Sequence, residues 1–432
     1  MKIFLSTIEP VRIADALKFL SEEEKVIVIN SLPLDSASVV LGETDEQSQE
    51  DIVEELESEK LGQLLDEMDS DDAVDILDDL EPDDQEEILA EIDKSSKGRA
   101  DVLRDLLQYP EDTAGGIMAP ELLTVYQCQT IGDALSLFKE ANENDKIEDI
   151  HNIFVVDKHH ILCGLLPLKS LIIYSNRKLV KDVMNSDYQY VPVEEDQEVV
   201  AHIVRKYDLY SIPVVDGDKK LVGRITADDI LDVIDEEAIE DMSHIAGVTQ
   251  EEFTEESVLR SVRNRVPWLL IGLFGGIVSA TIINFFEDSL KLILALAFFV
   301  PVVTAMGGNA GVQSSAIIVK RLATGDIHPQ YLLSRLSREI QIAFLNGLIC
   351  STFLTLIVTL WRGDFLFGFL IGLALFLVIL IATVVGTSVP LILKSLDIDP
   401  AIAMGPFVTT SNDVVGLMLY LGIASLFIKF FY

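Results

Sequence analysis

The chain contains little cysteine, and its three cysteines are scattered. Cys128, Cys163 and Cys350 lie far apart among 432 residues, and no Cys-x-x-Cys pair occurs. Disulfide-rich domains need a dense cysteine framework, and structural zinc sites need closely spaced thiolates. We therefore expect neither, and the composition is compatible with a reducing cytoplasm.

Catalytic signatures are also missing. The chain has six histidines, and none shows the spacing of a metal-ligand pair. The motifs G-x-S-x-G, H-E-x-x-H and a phosphate-binding P-loop do not occur. The apolar run at residues 1–5 is too short for a secretory signal, since Glu9 and Pro10 interrupt it. We expect a protein that is not an enzyme.

Basic residues are scarce in the first part of the chain. Residues 265–432 contain 8 acidic and 9 basic residues, whereas residues 1–264 contain 63 acidic and 23 basic ones. So acidic a region repels phosphates, and we exclude nucleic acid as a partner. The same region suits hard cations, which take oxygen ligands, although acidic helices can also serve solubility alone.

The last third of the sequence contains long apolar runs. There are five, at residues 266–286, 292–319, 340–361, 365–393 and 401–430. Each is long enough to cross a hydrocarbon core of about 30 Å at 1.5 Å per residue. Basic residues flank the first run and separate the second from the third, which indicates cytoplasmic sides there. We predict an inner-membrane protein with a cytoplasmic N-terminal half and an outside C-terminus.

A twelve-residue repeat runs through the first hundred residues. Apolar residues recur at this interval, as at Leu56, Met68 and Leu80, with acidic residues between them. Each unit reads as a short helix that cannot bury its apolar stripe alone, so neighbours must stack. We predict an acidic α-superhelical domain over residues 1–108 and a linker rich in turn residues over 109–120.

A second repeat follows the linker. Residues 153–157 (IFVVD) are echoed 59 positions later by residues 212–216 (IPVVD), and Gly164 is echoed by Gly223. Each copy is predicted as strand, helix, strand, turn, strand, helix. The pair resembles a tandem CBS domain, a regulatory α/β module whose copies often bind adenosine nucleotides. It makes ATP a candidate ligand. The predicted bounds are 117–237 for this domain, 238–264 for a connecting helix and 265–432 for a five-helix transmembrane domain.

The most informative residue of the apolar runs is Asp413. A carboxylate within a bilayer costs roughly 2.5–3.5 kcal/mol on insertion scales, so it usually faces a bundle interior or a water-filled path. No Lys or Arg in the spans is placed to pair with it. One carboxylate per chain suggests a homodimer, in which two would face each other across a cation. A hydrated Mg²⁺ suits such a site, and Ca²⁺, Mn²⁺ and Co²⁺ stay open.

Polar residues accompany Asp413. Asn309 and Gln313 lie four residues apart on one predicted helical face of the second run. They can pack helices through hydrogen bonds, line a pore, or do both. The pore-lining candidates are Asn309, Gln313, Thr409, Thr410 and Asn412.

Together these features resemble the MgtE family of magnesium channels across the whole chain. The specific motifs are YPEDTAGG at residues 109–116, Gly307-Gly308-Asn309, and Thr409-Thr410-x-x-Asp413. The resemblance implies a homodimeric, Mg²⁺-selective channel in the cell membrane, closed by cytosolic Mg²⁺, with Asp413 as its pore acid. It also implies cytosolic Mg²⁺ ligands in the CBS pair and the connecting "plug" helix. These are Asp196, Glu198, Asp208, Asp229, Asp232, Glu237, Glu240 and Asp241. Further ligands in the helical N-domain cannot be placed from the resemblance, because the repeats of that domain align ambiguously.

Two other functions are compatible with the residues. A divalent-cation carrier coupled to H⁺ or Na⁺ would also need an intramembrane acid, but its flux would require a co-ion. A membrane-anchored nucleotide sensor would use the CBS pair without any flux, and it leaves Asp413 unexplained.

Overall fold

The structure is a computed structural model that describes residues 8–143, 150–246, 248, 258–323, 332–396, 398, 400–403 and 405–431. The chain forms two compact units, Met1–Glu236 and Glu237–Tyr432. The first holds the helical N-domain and the CBS pair, and the second holds the apolar helices.

The N-domain confirms the twelve-residue repeat. Its described helices are α1 (Pro10–Leu17), α2 (Glu22–Ile29), α3 (Leu34–Gly42), α4 (Glu46–Glu55), α5 (Ser58–Asp66), α6 (Ser70–Asp78), α7 (Pro82–Ser95) and α8 (Arg99–Leu106). The first seven begin twelve residues apart. Polar residues stand at most of their N-caps, and Asp45 accepts a hydrogen bond from Ser48 N at 3.2 Å. The acidic repeat positions therefore start helices, where they also offset the helix dipole.

Each of these helices packs mainly on its second neighbour, as in a superhelix. At the contact of α5 with α7, Gly62 lies against the side chain of Glu91. The repeat positions Leu64, Ile76 and Ile88 are all buried, which is the stacking that the short amphipathic helices require.

The CBS pair contains the two predicted copies. The first has β1 (Thr124–Tyr126), α9 (Ile131–Glu143), β2 (Asn152–Val156), β3 (Leu162–Pro167) and α10 (Lys169–Ile173). The second has β4 (Val191–Pro192), α11 (Gln197–Tyr207), β5 (Ser211–Val215), β6 (Leu221–Thr226) and α12 (Ala227–Ala246). Each sheet has a parallel pair followed by an antiparallel pair, in the orders β1-β2-β3 and β4-β5-β6.

Equivalent turns join the two copies. Leu162 N donates to Lys219 O at 3.2 Å, and Leu221 N donates to His160 O at 3.1 Å. Because these residues are related by the 59-residue offset, the two bonds are equivalent under the internal repeat.

The predicted linker packs on the second CBS copy. Ala114 N donates to Glu195 O at 2.7 Å, and Gly115 N donates to Val193 O at 2.9 Å. Met118 lies against Gly223, where a side chain would collide with its sulfur. The buried residues of the N-domain and of this copy consequently form one continuous apolar cluster.

Part of the predicted connecting helix, at residues 247 and 249–257, lies outside the described residues. Its first residues continue α12, and its last residues begin α13 (Val258–Phe285), which runs on into the first apolar stretch. No Pro or Gly stands at the predicted boundary near residue 238 to end α12.

Among the residues that the structure describes, five helices are long and apolar enough to cross a membrane, as predicted. The second unit comprises α13, a short α14 (Glu287–Leu292), α15 (Val300–Ala323), α16 (Leu332–Arg362), α17 (Phe365–Ser395) and α18 (Pro406–Phe431). Short 3₁₀ segments at Leu294–Phe299 and Pro400–Ala403 precede α15 and α18. Tyr420, which is fully buried, donates its hydroxyl to Leu296 O at 2.8 Å and ties the first segment to α18.

Candidate cation sites

The two polar motifs of the apolar helices meet in space. A Cβ atom placed on Gly308 of α15 would lie 3.8 Å from Asp413 Oδ1 of α18. A Cβ atom placed on Gly307, the preceding residue, would likewise lie against the Val378 side chain of α17. The paired glycines thus let three helices approach closely at the level of the carboxylate.

Asp413 is half-buried and has no ionic partner within the described part of the chain. No described Lys, Arg or His contacts it, and no described donor forms a hydrogen bond with its carboxylate. A carboxylate left in this state within a membrane needs a cation or water beside it.

One face of α15 is open. Ala305, Asn309, Gln313 and Ile317 are exposed at intervals of four residues and form a stripe along the helix, which we call the amide stripe. Two amides exposed in the middle of an apolar span are unfavourable against lipid, which offers them no hydrogen-bond partners. This face therefore requires protein or water against it.

The remaining pore-lining candidates are buried or half-buried. Asn412 is 1% exposed, and both polar atoms of its amide lack a hydrogen-bond partner among the described residues. Its amide lies directly on Gly311, and the methyl group of Thr410 lies on Gly275 of α13. Thr409 is half-buried. Asn412 and Thr410 thus pack helices in this conformation, whereas Asn309 and Gln313 have the exposure that a pore lining needs.

A second concentration of acids lies where the N-domain meets the CBS pair. Acids of α6 and of α12 lie close enough to repel one another, and we call Asp71, Asp72 and Asp75 with Asp229 and Asp232 the acid face. Burial, followed by repulsion from Asp229, raises the pKa of Asp71 well above its ordinary value. Burial and the neighbouring Asp69 and Asp229 raise the pKa of Asp72 to about 7.

The same effects extend along both helices. Burial, Asp72 and Glu236 raise the pKa of Asp75 to about 7, although part of its surface and that of Asp72 stays open to water. Burial, followed by Asp229 and Glu43, raises the pKa of Asp232. Glu43 of the N-domain therefore adds to the repulsion among the carboxylates of the acid face.

The linker adds one more acid at the end of α6. A hydrogen bond with Asp78 and burial raise the pKa of Glu111 to about 7. Two carboxyl groups can share a hydrogen bond only when one of them is protonated, so this contact is lost when both are ionised.

The structure brings only some of the predicted sensor residues together. Asp229 and Asp232 belong to the acid face, and Asp229 accepts hydrogen bonds from Thr226 N and Oγ1, both at 2.7 Å. Asp196 and Asp208 cap opposite ends of the 11-residue helix α11, about 18 Å apart at 1.5 Å per residue. They cannot share one ion within a chain.

The other sensor candidates do not belong to the acid face. Glu198 follows Asp196 in the first turn of α11, and its N–H donates to Asp196 Oδ1 at 2.9 Å. Glu237 and Glu240 are half-buried on α12. Asp241 lies on the same helix, but its side chain is outside the described residues.

The acid face fits a hard divalent cation in its chemistry. All its donors are carboxylate oxygens, and Asp71 Oδ1 is buried without a hydrogen-bond partner among the described residues. Among those residues, however, no three His, Cys, Asp or Glu side chains converge closely enough to form a ready metal site. The carboxylates repel one another, so a cation would have to draw them together.

Sequence reasoning missed the N-domain members of this face. Asp71, Asp72 and Asp75 follow one another at helical spacing on α6, so the signal was present. Similar acidic runs occur in the other repeats, and only the nearness of this one to Asp229 and Asp232 of α12 distinguishes it.

Comparisons with known proteins agree with this architecture. Three family models match: "MgtE intracellular N domain" at residues 8–112, "CBS domain" at 180–236 and "Divalent cation transporter" (MgtE) at 300–423. The magnesium transporter MgtE of Bacillus subtilis (strain 168) is 36% identical over 323 residues, covering 75% of this chain and 71% of that protein. The chain belongs to the MgtE family.

Further MgtE proteins support the assignment. The magnesium transporter MgtE of Thermus thermophilus is 37% identical over 326 residues, covering 75% of this chain and 72% of that protein. A crystal structure of the soluble part of a magnesium transporter matches with a TM-score of 0.50 and 30% identity, over 54% of this chain and 90% of that one. These MgtE relatives are named as transporters rather than enzymes.

Proposed function

We propose that this MgtE protein is a Mg²⁺ channel that forms a homodimer and mediates magnesium uptake. The observation that carries the proposal is the close approach of α15, at Gly308, to Asp413 of α18, together with the amide stripe exposed on the same α15. An acid without a cationic partner among the described residues, and two exposed amides on the neighbouring helix, supply the kind of oxygen atoms that a hydrated Mg²⁺ binds.

The exposure of the amide stripe supports the homodimer. Asn309 and Gln313 are unfavourable against lipid, and a second copy would cover or face them. A two-fold axis near this face would bring two Asp413 carboxylates toward each other, and a cation between them would relieve their repulsion. We further propose a cytoplasmic N-terminal half and an outside C-terminus, as the distribution of basic residues predicts.

The acid face supports closure by cytosolic Mg²⁺. Without a cation its carboxylates repel, and with one they would be drawn together, which favours a compact conformation. Asp71, Asp72, Asp229 and Asp232 would hold the ion. Roles for Asp196, Glu198, Asp208, Glu237, Glu240 and Asp241 stay proposals from family resemblance, as does ATP binding by the CBS pair.

A planar-bilayer recording tests the channel proposal. We expect a Mg²⁺ current that follows the electrochemical gradient and falls as Mg²⁺ rises on the cytoplasmic side. Asp413→Asn should abolish the current. Asp364→Asn is the matched control, because it removes the same charge from the N-cap of α17, where asparagine also caps a helix.

The outcomes separate the candidate functions. A flux that appears only with an H⁺ or Na⁺ gradient would replace the channel by a carrier. Folded, dimeric protein without any flux, but with nucleotide binding, would favour the sensor. A monomer with full current would contradict the homodimer.

A further inference from the structure

One hydroxyl group joins two elements of the second unit deep in its apolar interior. Tyr420 of α18 donates its hydroxyl to the backbone oxygen of Leu296 at 2.8 Å, across 124 positions of the sequence. Both residues are fully buried. A buried hydroxyl is unfavourable without a partner, so this bond holds the two residues at one distance and in one direction.

The carbonyl that accepts this bond belongs to the 3₁₀ segment Leu294–Phe299. A 3₁₀ helix has poorer hydrogen-bond geometry than an α-helix, so a donor from another element stabilises it. Leu296 and its buried neighbours share one apolar cluster with Tyr420. The segment leads directly into α15 at Val300, so whatever fixes Leu296 also fixes the start of α15.

The helices joined in this way also carry the two polar motifs. Asp413 precedes Tyr420 by seven residues, which is two turns or about 10.5 Å at 1.5 Å per residue, so both lie on one side of α18. Gly308 follows the start of α15 by eight residues and approaches Asp413. The two contacts between α18 and this part of the chain are therefore coupled through a short stretch of helix.

These two contacts differ in kind. Gly308 has no side chain, so it permits a close approach without fixing it, and the surrounding apolar contacts are non-directional. A hydrogen bond has a preferred length and angle. The Tyr420 hydroxyl thus supplies the direction that the glycine contact lacks.

We infer that Tyr420 is a positioning residue, whose hydroxyl sets the axial position and rotation of α15 against α18 and thereby the approach of Gly308 to Asp413. The packing part of this inference depends on the chain alone. The consequence for ion flow rests on the proposed channel function, because a displaced α15 would alter the path of the ion.

Tyr420→Phe tests the inference, since it removes the hydroxyl and keeps the ring. Hydrogen exchange of the whole chain in detergent, read by mass spectrometry, should rise about fivefold at residues 294–304, as expected when a local opening is opposed by one hydrogen bond fewer. In planar bilayers the unitary Mg²⁺ current should become smaller. Unitary current does not depend on how many molecules fold, so a general loss of stability would leave it unchanged.

A matched control removes a buried hydroxyl that joins no two helices. Thr387 is fully buried, and its hydroxyl donates to Thr383 O at 2.8 Å within α17. Thr387→Val should change neither the exchange at residues 294–304 nor the unitary current. Replacing Tyr420 by 4-aminophenylalanine restores a donor at the same place, and it should recover part of both values.

Unchanged exchange at residues 294–304 in Tyr420→Phe would overturn the inference, and so would an equal rise in Thr387→Val. Raised exchange with a full unitary current would also overturn it, because the bond would then serve packing alone. If the unaltered protein carried no Mg²⁺ current, the channel proposal would fail, and the exchange comparison would still decide whether the hydroxyl fixes α15.

Discussion

The crossing of α15, α17 and α18 yields the sharpest steric prediction. A Cβ atom on Gly311 would lie 1.8 Å from Asn412 Nδ2 and 2.9 Å from Asn412 Cγ, well inside van der Waals contact. Gly386 of α17 is equally close, since its own Cβ would lie 2.3 Å from Gly311 O. Gly311→Ala must therefore displace the Asn412 side chain, and overpacking of this kind destabilises by about 1–3 kcal/mol.

Thermal unfolding in detergent measures the effect. For a domain of this size, about 1–3 kcal/mol corresponds to a fall in Tm of about 2–12 °C. Gly422→Ala on α18 is the matched control, because no atom lies within 4 Å of its Cβ position. It should be neutral or stabilise by up to about 1 kcal/mol through helix propensity. Since Asn412 precedes Asp413, we also expect Gly311→Ala to reduce Mg²⁺ flux.

A double variant identifies the clashing partner. Asn412→Ala in the Gly311→Ala background removes the colliding atoms together with an amide that has no partner in the described structure. The double variant should therefore unfold at a higher temperature than Gly311→Ala alone. Equal Tm values for Gly311→Ala and Gly422→Ala, or no rescue by Asn412→Ala, would refute the packing that we describe at this crossing.

Two further predictions concern pH and the amide stripe. Because Asp72 and Asp75 have pKa values of about 7 in the folded protein and ordinary values near 3.8 when unfolded, their protonation favours the folded state, and this contribution is lost as pH rises toward 7. Protons should then compete with Mg²⁺ for these carboxylates. Lowering the pH from 8 to 6 should therefore raise the Mg²⁺ concentration needed for closure by up to about tenfold per group. Bilayer recordings in which less Mg²⁺ closes the channel at pH 6 than at pH 8 would contradict this. Gln313→Leu should strongly reduce the Mg²⁺ current, whereas Ile317→Leu, on the same exposed stripe, should not. Equal currents from the two variants, at matched amounts of reconstituted dimer, would exclude Gln313 from the ion path.

Periodic features of the fold were predictable from the sequence. The twelve-residue repeat sets the starts of seven helices, because each unit carries both its N-cap and its apolar stripe. The 59-residue offset predicted the two CBS copies, since similar sequences form corresponding strands. The apolar runs predicted five spanning helices, although α16 begins eight residues before its predicted start at residue 340. That extension carries polar residues, which hydropathy alone does not count as part of a span.

Positions that depend on packing between distant elements were not predictable. Asn309 and Asn412 both looked like pore-lining amides, yet Asn309 is exposed and Asn412 is buried on Gly311. Helical spacing gives the relative directions of side chains on one helix, but not which neighbour each side contacts. For the same reason the sequence did not predict Asp71 and Asp72 as site residues. What distinguishes them is their nearness to Asp229, which is more than 150 residues away along the chain.

The number of carboxylates on the acid face bears on how steep a Mg²⁺ response this fold can give. Moving a two-state equilibrium from 1:99 to 99:1 needs about 10⁴-fold tighter binding to one state, or about 5.5 kcal/mol. A single Mg²⁺ on partly hydrated carboxylates supplies this only with difficulty, since the ion keeps much of its water. Several ions along α6 and α12 can share the difference, provided that the helices stay in register while empty. Removing one carboxylate from the acid face, as in Asp72→Asn, should therefore make the Mg²⁺ response shallower as well as shifting it, which a Hill analysis of the Mg²⁺ titration would detect.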